Sequence, residues 1–149
     1  MKNNLPEVHH HHSLRLQGYD YSGEGLYFIT ICTKNRQHSF GKISNGEMIL
    51  DEIGITAEMM LEEVPKHFGH ALVAEQVVMP NHVHLILVLN DIRKFAGDGE
   101  MMVDVSPPAN LFGKSIVGTV SVIINQYKAS VKRWCNKNGQ EYIRWRPRF

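Results

Sequence analysis

The chain has 149 residues, 43% hydrophobic and 21% charged, with a net charge of +1, which suits one globular domain able to bury a core. No apolar run approaches the roughly 18 residues that span a bilayer, and the polar start MKNNLPEVHHHHS lacks the apolar segment of a secretory signal. Two distant cysteines, Cys32 and Cys135, argue against a disulfide framework or a zinc-type Cys spacing, so a cytoplasmic, non-membrane domain with reduced thiols is expected.

Residues 1–20 show no apolar periodicity and are expected to form a flexible arm ahead of a domain over 21–149. The run His9 to His12 would coordinate metal without fixed geometry and receives no catalytic role. Leu26 to Thr33 (LYFITICT) is rich in β-branched and aromatic residues and predicts a buried strand. A short strand over Gly46 to Leu50 follows the turn signal Asn45-Gly46. From Asp51 the pattern turns helical, with Ile53, Ala57, Met60, Leu61 and Val64 on one stripe, and Pro65 and Gly69 end that helix. Ala71 to Met79 (ALVAEQVVM) and His82 to Leu89 (HVHLILVL) predict two strands joined by Pro80-Asn81, hence a hairpin.

Asp91 to Phe112 has no clear period and predicts a surface connection. The longest helix is expected over Lys114 to Lys137, with Ile116, Val120, Ile123, Ile124, Tyr127, Val131 and Trp134 as its core stripe. Lys128, Lys132 and Arg133 fall on the opposite side, and Asn138-Gly139 is the stop. The ending WRPRF predicts an extended, basic segment. This order of elements predicts an α+β domain of ferredoxin-like topology, with helices packed on one face of an antiparallel sheet.

Charge is divided unevenly. Met1 to Phe112 holds 8 Lys/Arg and 14 Asp/Glu, a balance of −6, whereas Gly113 to Phe149 holds 8 Lys/Arg and one acid, Glu141, a balance of +7. A basic segment of this kind suits a phosphate-binding surface as well as a solvated helix face, because each neutralised phosphate releases counterions.

The sharpest chemical feature is His82-Val83-His84. Residues two apart on a strand project from the same face, so both imidazoles can reach one ion while Val83, Leu85 and Leu87 anchor the other face. Two imidazoles leave coordination positions open for phosphate and water. A bare pair of this kind also arises as two solvent-facing histidines. Glu75, on the preceding strand, reads as a surface carboxylate that could face the same ion. No Ser-His-Asp or Cys-His arrangement and no phosphate-cradling glycine loop is visible.

The run VVMPNHVHLILVL (Val77 to Leu89) resembles the signature of the REP-associated tyrosine transposases, the single-tyrosine branch of the HUH endonucleases. SLRLQGYDYSGEGLYFITICTKNR (Ser13 to Arg36) and FGKISNGEMILDEIG (Phe40 to Gly54) resemble that family's opening stretches. SIVGTVSVIINQYKASVKRWCNKNG and RWRPRF resemble its later helix and its Trp-x-Pro-Arg-Phe strand. The resemblance implies a DNA transposase with a ferredoxin-like domain that binds hairpin single-stranded DNA. It assigns His82 and His84 as ligands of Mg²⁺ or Mn²⁺, which polarises the scissile phosphate. A tyrosine attacks, giving a 5′-phosphotyrosine link and a free 3′-hydroxyl that can reverse the reaction. Lys128, Lys132, Arg133, Arg144, Arg146 and Arg148 are the expected phosphate contacts.

In the family the attacking tyrosine follows the Trp-x-Pro-Arg-Phe segment, and this chain ends at Phe149, inside that match. The chain is therefore expected to lack the tyrosine helix and to be impaired in cleavage. Tyr142, which does not align with the family nucleophile, is the substitute to consider, whereas Tyr127 reads as a core residue. Some relatives build composite sites in dimers, so a homodimer is a further expectation. The alternative is a non-enzymatic ferredoxin-like module that binds nucleic acid.

Overall fold

The computed structural model describes residues 21, 23–90, 118–140 and 143–147. The arm over 1–20, the connection over 91–112, Tyr142 and Arg148 lie outside them. The described elements run β1 (Gly25–Cys32), β2 (Gly41–Ser44), β3 (Glu47–Leu50), α1 (Glu52–Glu62), α2 (Val64–His67), β4 (Ala71–Met79), β5 (His82–Leu89) and α3 (Val120–Lys137). The architecture is α+β and ferredoxin-like in arrangement: an antiparallel sheet with helices packed against it.

The sheet order is β1-β5-β4, with β5 antiparallel to both neighbours. Alternation along β5 is strict. Val83, Leu85, Leu87 and Leu89 are buried, while His82, His84, Ile86 and Val88 are partly exposed, as a half-covered strand requires. Tyr27, Ile29 and Ile31 of β1 and Ala71 and Val78 of β4 join the same core with Ile53, Ala57 and Leu61 of α1 and Ile123, Ile124 and Val131 of α3. The opposite sheet face is open and strongly apolar, with Leu26 75% and Phe28 71% exposed, beside Leu72 and Val77. Among the described residues no helix is long and apolar enough to cross a membrane.

Local chemistry accounts for the element ends. Asp51 caps α1 by accepting from the Gly54 N–H, the role a short carboxylate plays at a helix start. α3 begins at Val120, within the range expected from Lys114, and residues 114–117 lie outside the described ones. Gly118 has φ 83°, and Thr119 is an extended N-cap whose hydroxyl accepts from the Val122 N–H. Ile116 of the expected stripe lies outside the described residues, Trp134 is half-buried, and Cys135 is buried in its place. At the far end Gly139 takes φ 72° and Gln140 N–H donates to the Cys135 carbonyl, the six-to-one closure that a left-handed glycine permits. Pro65 follows the α1 C-cap Glu63 by two residues, where a ring without an N–H does not continue the helix. It sits in the first turn of α2, where its missing N–H costs nothing. β2, which the pattern of apolar residues does not announce, pairs with β3 as a separate hairpin.

Candidate metal centre and nucleic-acid interface

His82 and His84 project from the open face of β5. Their ring centroids are 4.6 Å apart and the planes lie at 77°. Imidazoles this close on one strand face would be the residues to hold a shared ion through their ring nitrogens. Each Nδ1 is engaged: that of His84 by Thr30 Oγ1 at 2.9 Å and that of His82 by Asn81 Oδ1 at 2.7 Å. Second partners of this kind orient a ligating histidine and leave Nε2 to coordinate. Partial burial, and next the neighbouring His84, hold the His82 pKa below the usual histidine range, which favours the neutral, metal-binding form. Phe28 lies flat against His84, with centroids 5.3 Å and planes 23° apart. Among the described residues no third His, Cys, Asp or Glu completes a metal group with the pair, and Glu75 is an exposed carboxylate outside any such group.

The turn before His82 is pinned to the exit of β1. Thr33 N–H and hydroxyl both donate to the Asn81 carbonyl, and Ser39 and Phe40 N–H donate to the Pro80 carbonyl. The C-terminal segment is anchored to the same place. Thr33 and Trp145 form an antiparallel bridge, Lys34 N–H donates to the Arg144 carbonyl, and Arg146 N–H donates to the Cys32 carbonyl. Cys32 is the β1 partner of His82. Arg144 and Arg146 therefore sit, with exposed side chains, at the His82 end of the sheet, together with exposed Lys34 and Arg36. Residue order alone did not point to Lys34 and Arg36, because only the backbone pairing across more than a hundred residues brings them to the arginines.

Lys128 is a correction. It was expected on the solvent side of the long helix, yet it is buried and its ammonium donates to the Arg146 carbonyl. It holds the basic segment in place from beneath. Lys132 and Arg133 are exposed on α3, in the helical layer, and they do not share the histidines' face. Lys132 approaches the Ile143 carbonyl and Arg133 donates to the Ser130 hydroxyl. Tyr127 lies in the core and donates its hydroxyl to the Ala57 carbonyl, and burial raises its pKa far above the usual phenol range. Tyr27 is on the buried face and donates to the Gly23 carbonyl.

An α+β domain that carries a His-x-His pair at the basic end of an open sheet face is the class these features define. No protein-family model matches the chain. An uncharacterized protein of Haemophilus influenzae is 34% identical over 142 residues, covering 95% of this chain and 77% of that protein. The chain belongs to the same family as that Haemophilus protein.

Proposed function

We propose that the chain is a DNA transposase domain of the HUH single-strand type, which binds hairpin single-stranded DNA and one divalent ion, Mg²⁺ or Mn²⁺. The observation that carries this reading is the His82–His84 pair, whose Nδ1 atoms are both engaged and whose spacing suits a common ion. His82 and His84 would hold the ion through Nε2. When bound, it supplies Lewis-acid polarisation to a phosphate. Arg144 and Arg146, with Lys34 and Arg36, offer phosphate contacts at the same end of the sheet, and the exposed Phe28 ring offers a base a stacking surface. Lys132 and Arg133 are left as peripheral phosphate contacts, and a second copy of the chain is a further source of groups for the site.

The nucleophile of the proposed reaction is a tyrosine, and Tyr142 remains the candidate in this chain. Tyr127 and Tyr27 are engaged on the core side of the sheet. That observation favours one second reading, a nucleic-acid-binding module that performs no cleavage.

End-labelled single-stranded hairpins incubated with the protein and Mn²⁺, then resolved by denaturing electrophoresis, separate the readings. A metal-dependent covalent adduct that is lost in His82→Ala and in Tyr142→Phe supports the transposase reading. Salt-sensitive hairpin binding without an adduct supports the binding module. Equal affinity for double- and single-stranded DNA, unchanged by His82→Ala, overturns the transposase reading and leaves the module with histidines that take no part; no binding to nucleic acid overturns both.

A further inference from the structure

We infer that Asn81 is a positioning residue that fixes which nitrogen of His82 carries the proton, leaving Nε2 bare for a metal ion. The inference rests on the reading of His82 as a metal ligand. It is carried by a short relay of three groups. Asn81 Nδ2 donates to the Arg36 carbonyl at 3.3 Å, and Asn81 Oδ1 lies 2.7 Å from His82 Nδ1. A carbonyl only accepts, so the amide must turn its NH₂ toward Arg36 and its oxygen toward the imidazole. An amide oxygen also only accepts, so His82 Nδ1 must carry the hydrogen. The lone pair of a neutral ring is then confined to Nε2.

The backbone around this relay is built to hold it. Asn35 and Arg36 take φ 57° and 55°, a left-handed conformation that residues with a side chain adopt rarely and arginine more rarely than asparagine. Backbone held in such a region persists where surrounding structure over-determines it, and it clusters at functional sites. Here its result is an Arg36 carbonyl turned toward Asn81. The Asn81 carbonyl is meanwhile held by the Thr33 N–H and hydroxyl, so the residue is fixed at both ends while its amide addresses His82. At His84 the atom next to Nδ1 is Thr30 Oγ1 instead, so each ligand has its own orienting group. Thr30 reaches across from β1, whereas Asn81 acts from the residue next to its target.

The test uses the full chain, free of metal, with ¹⁵N-labelled histidine. Long-range ¹H–¹⁵N spectra at a pH where the ring is neutral should show His82 protonated at Nδ1 in the wild type. In Asn81→Ala the proton should move toward Nε2, the form that a free imidazole prefers in water. Mn²⁺ titration should then show affinity falling by about 10- to 100-fold, the usual effect of removing a ligand's orienting partner. Asn81→Asp keeps an acceptor for Nδ1–H and should retain both the tautomer and the binding, which separates positioning from a general loss of structure. An unchanged tautomer in Asn81→Ala, or a changed tautomer with unchanged Mn²⁺ affinity, overturns the inference while leaving the metal site intact. If the wild type binds no Mn²⁺, or His82→Ala binds it equally well, the metal reading itself fails.

Discussion

Phe28 and His84 lie face to face on the open side of the sheet, 5.3 Å between centroids and 23° between planes. One face of Phe28 supports the imidazole, and with 71% of the residue exposed the rest of the ring remains available to a base. Phe28→Ala should weaken binding of a single-stranded hairpin by about 1–3 kcal/mol, the contribution of one stacked base, whereas Phe28→Tyr should keep it. Filter binding or anisotropy without divalent metal measures this apart from any effect on the ion. Equal affinity of the alanine variant would remove Phe28 from the interface.

Thr30 stands to His84 as an orienting partner across the β1–β5 ladder, with Oγ1 2.9 Å from Nδ1. Thr30→Val preserves the shape and strand preference of the residue but removes the hydroxyl. Mn²⁺ affinity should drop by about tenfold or more, and Thr30→Ser should restore it. Calorimetric titration with Mn²⁺ reads the difference directly.

Acid should destabilise the fold through His82. Its folded pKa lies below the usual value because of partial burial and then because of His84, so between that lowered value and about 6.5 the unfolded chain binds the extra proton and the native state does not. The stabilising difference is complete above the unfolded pKa and is lost as pH falls through the folded one. Thermal melts across about pH 5 to 8 should show His82→Gln losing less stability on acidification than the wild type. Parallel pH profiles for the two proteins would rule this out.

Lys128 and the exposed arginines should separate in a mutational test. Lys128→Ala leaves the buried-side Arg146 carbonyl without its donor and should cost about 1–3 kcal/mol of stability. Arg144→Ala and Arg146→Ala should leave the melting temperature in place while each lowers the salt dependence of DNA binding by about one unit of slope. Chemical denaturation and a binding series in NaCl, run on the same three variants, check both halves.

Gly54 should tolerate no side chain. A Cβ there would meet the Phe40 carbonyl oxygen, with the Leu50 side chain close by, because the first turn of α1 crosses the backbone that leads into β2. Gly54→Ala should destabilise by about 1–3 kcal/mol or more, despite alanine's better helix propensity. A stabilised variant in urea unfolding would contradict the close approach.

The elements with strong local signals were legible from residue order. β4 and β5 carry long apolar runs around Pro80-Asn81, and the structure begins and ends them at Ala71, Met79, His82 and Leu89. The alternation that places His82 and His84 together on the open face was legible for the same reason, since two-residue periodicity is a property of the strand itself. β2 was not, because Gly41, Lys42 and Ser44 have weak strand preference and pairing with β3 makes a strand of them. Lys128 also escaped: a lysine on the flank of a helical stripe looks solvated until the segment around Arg146 is seen to fold over it. The parts of the candidate site that depend on long-range contact, such as Asn81 with Arg36 and Thr30 with His84, have no local periodicity to announce them.

The central position of β5 has a consequence for biosynthesis. β1 leaves the ribosome before β5, its sheet partner among the described residues, and Thr30 must wait for a residue 54 positions later. During that interval β1 is an unpaired, apolar segment exposed to aggregation. The β4–β5 hairpin, by contrast, closes over a two-residue turn and is available as a template as soon as it emerges. An ion held by His82 and His84 with their partner groups in place would act only on the closed product, stabilising it by mass action without speeding the docking of β1. Divalent metal added to cells producing the protein would therefore protect molecules that have already folded, while yield would depend on how well nascent β1 is shielded until β5 arrives.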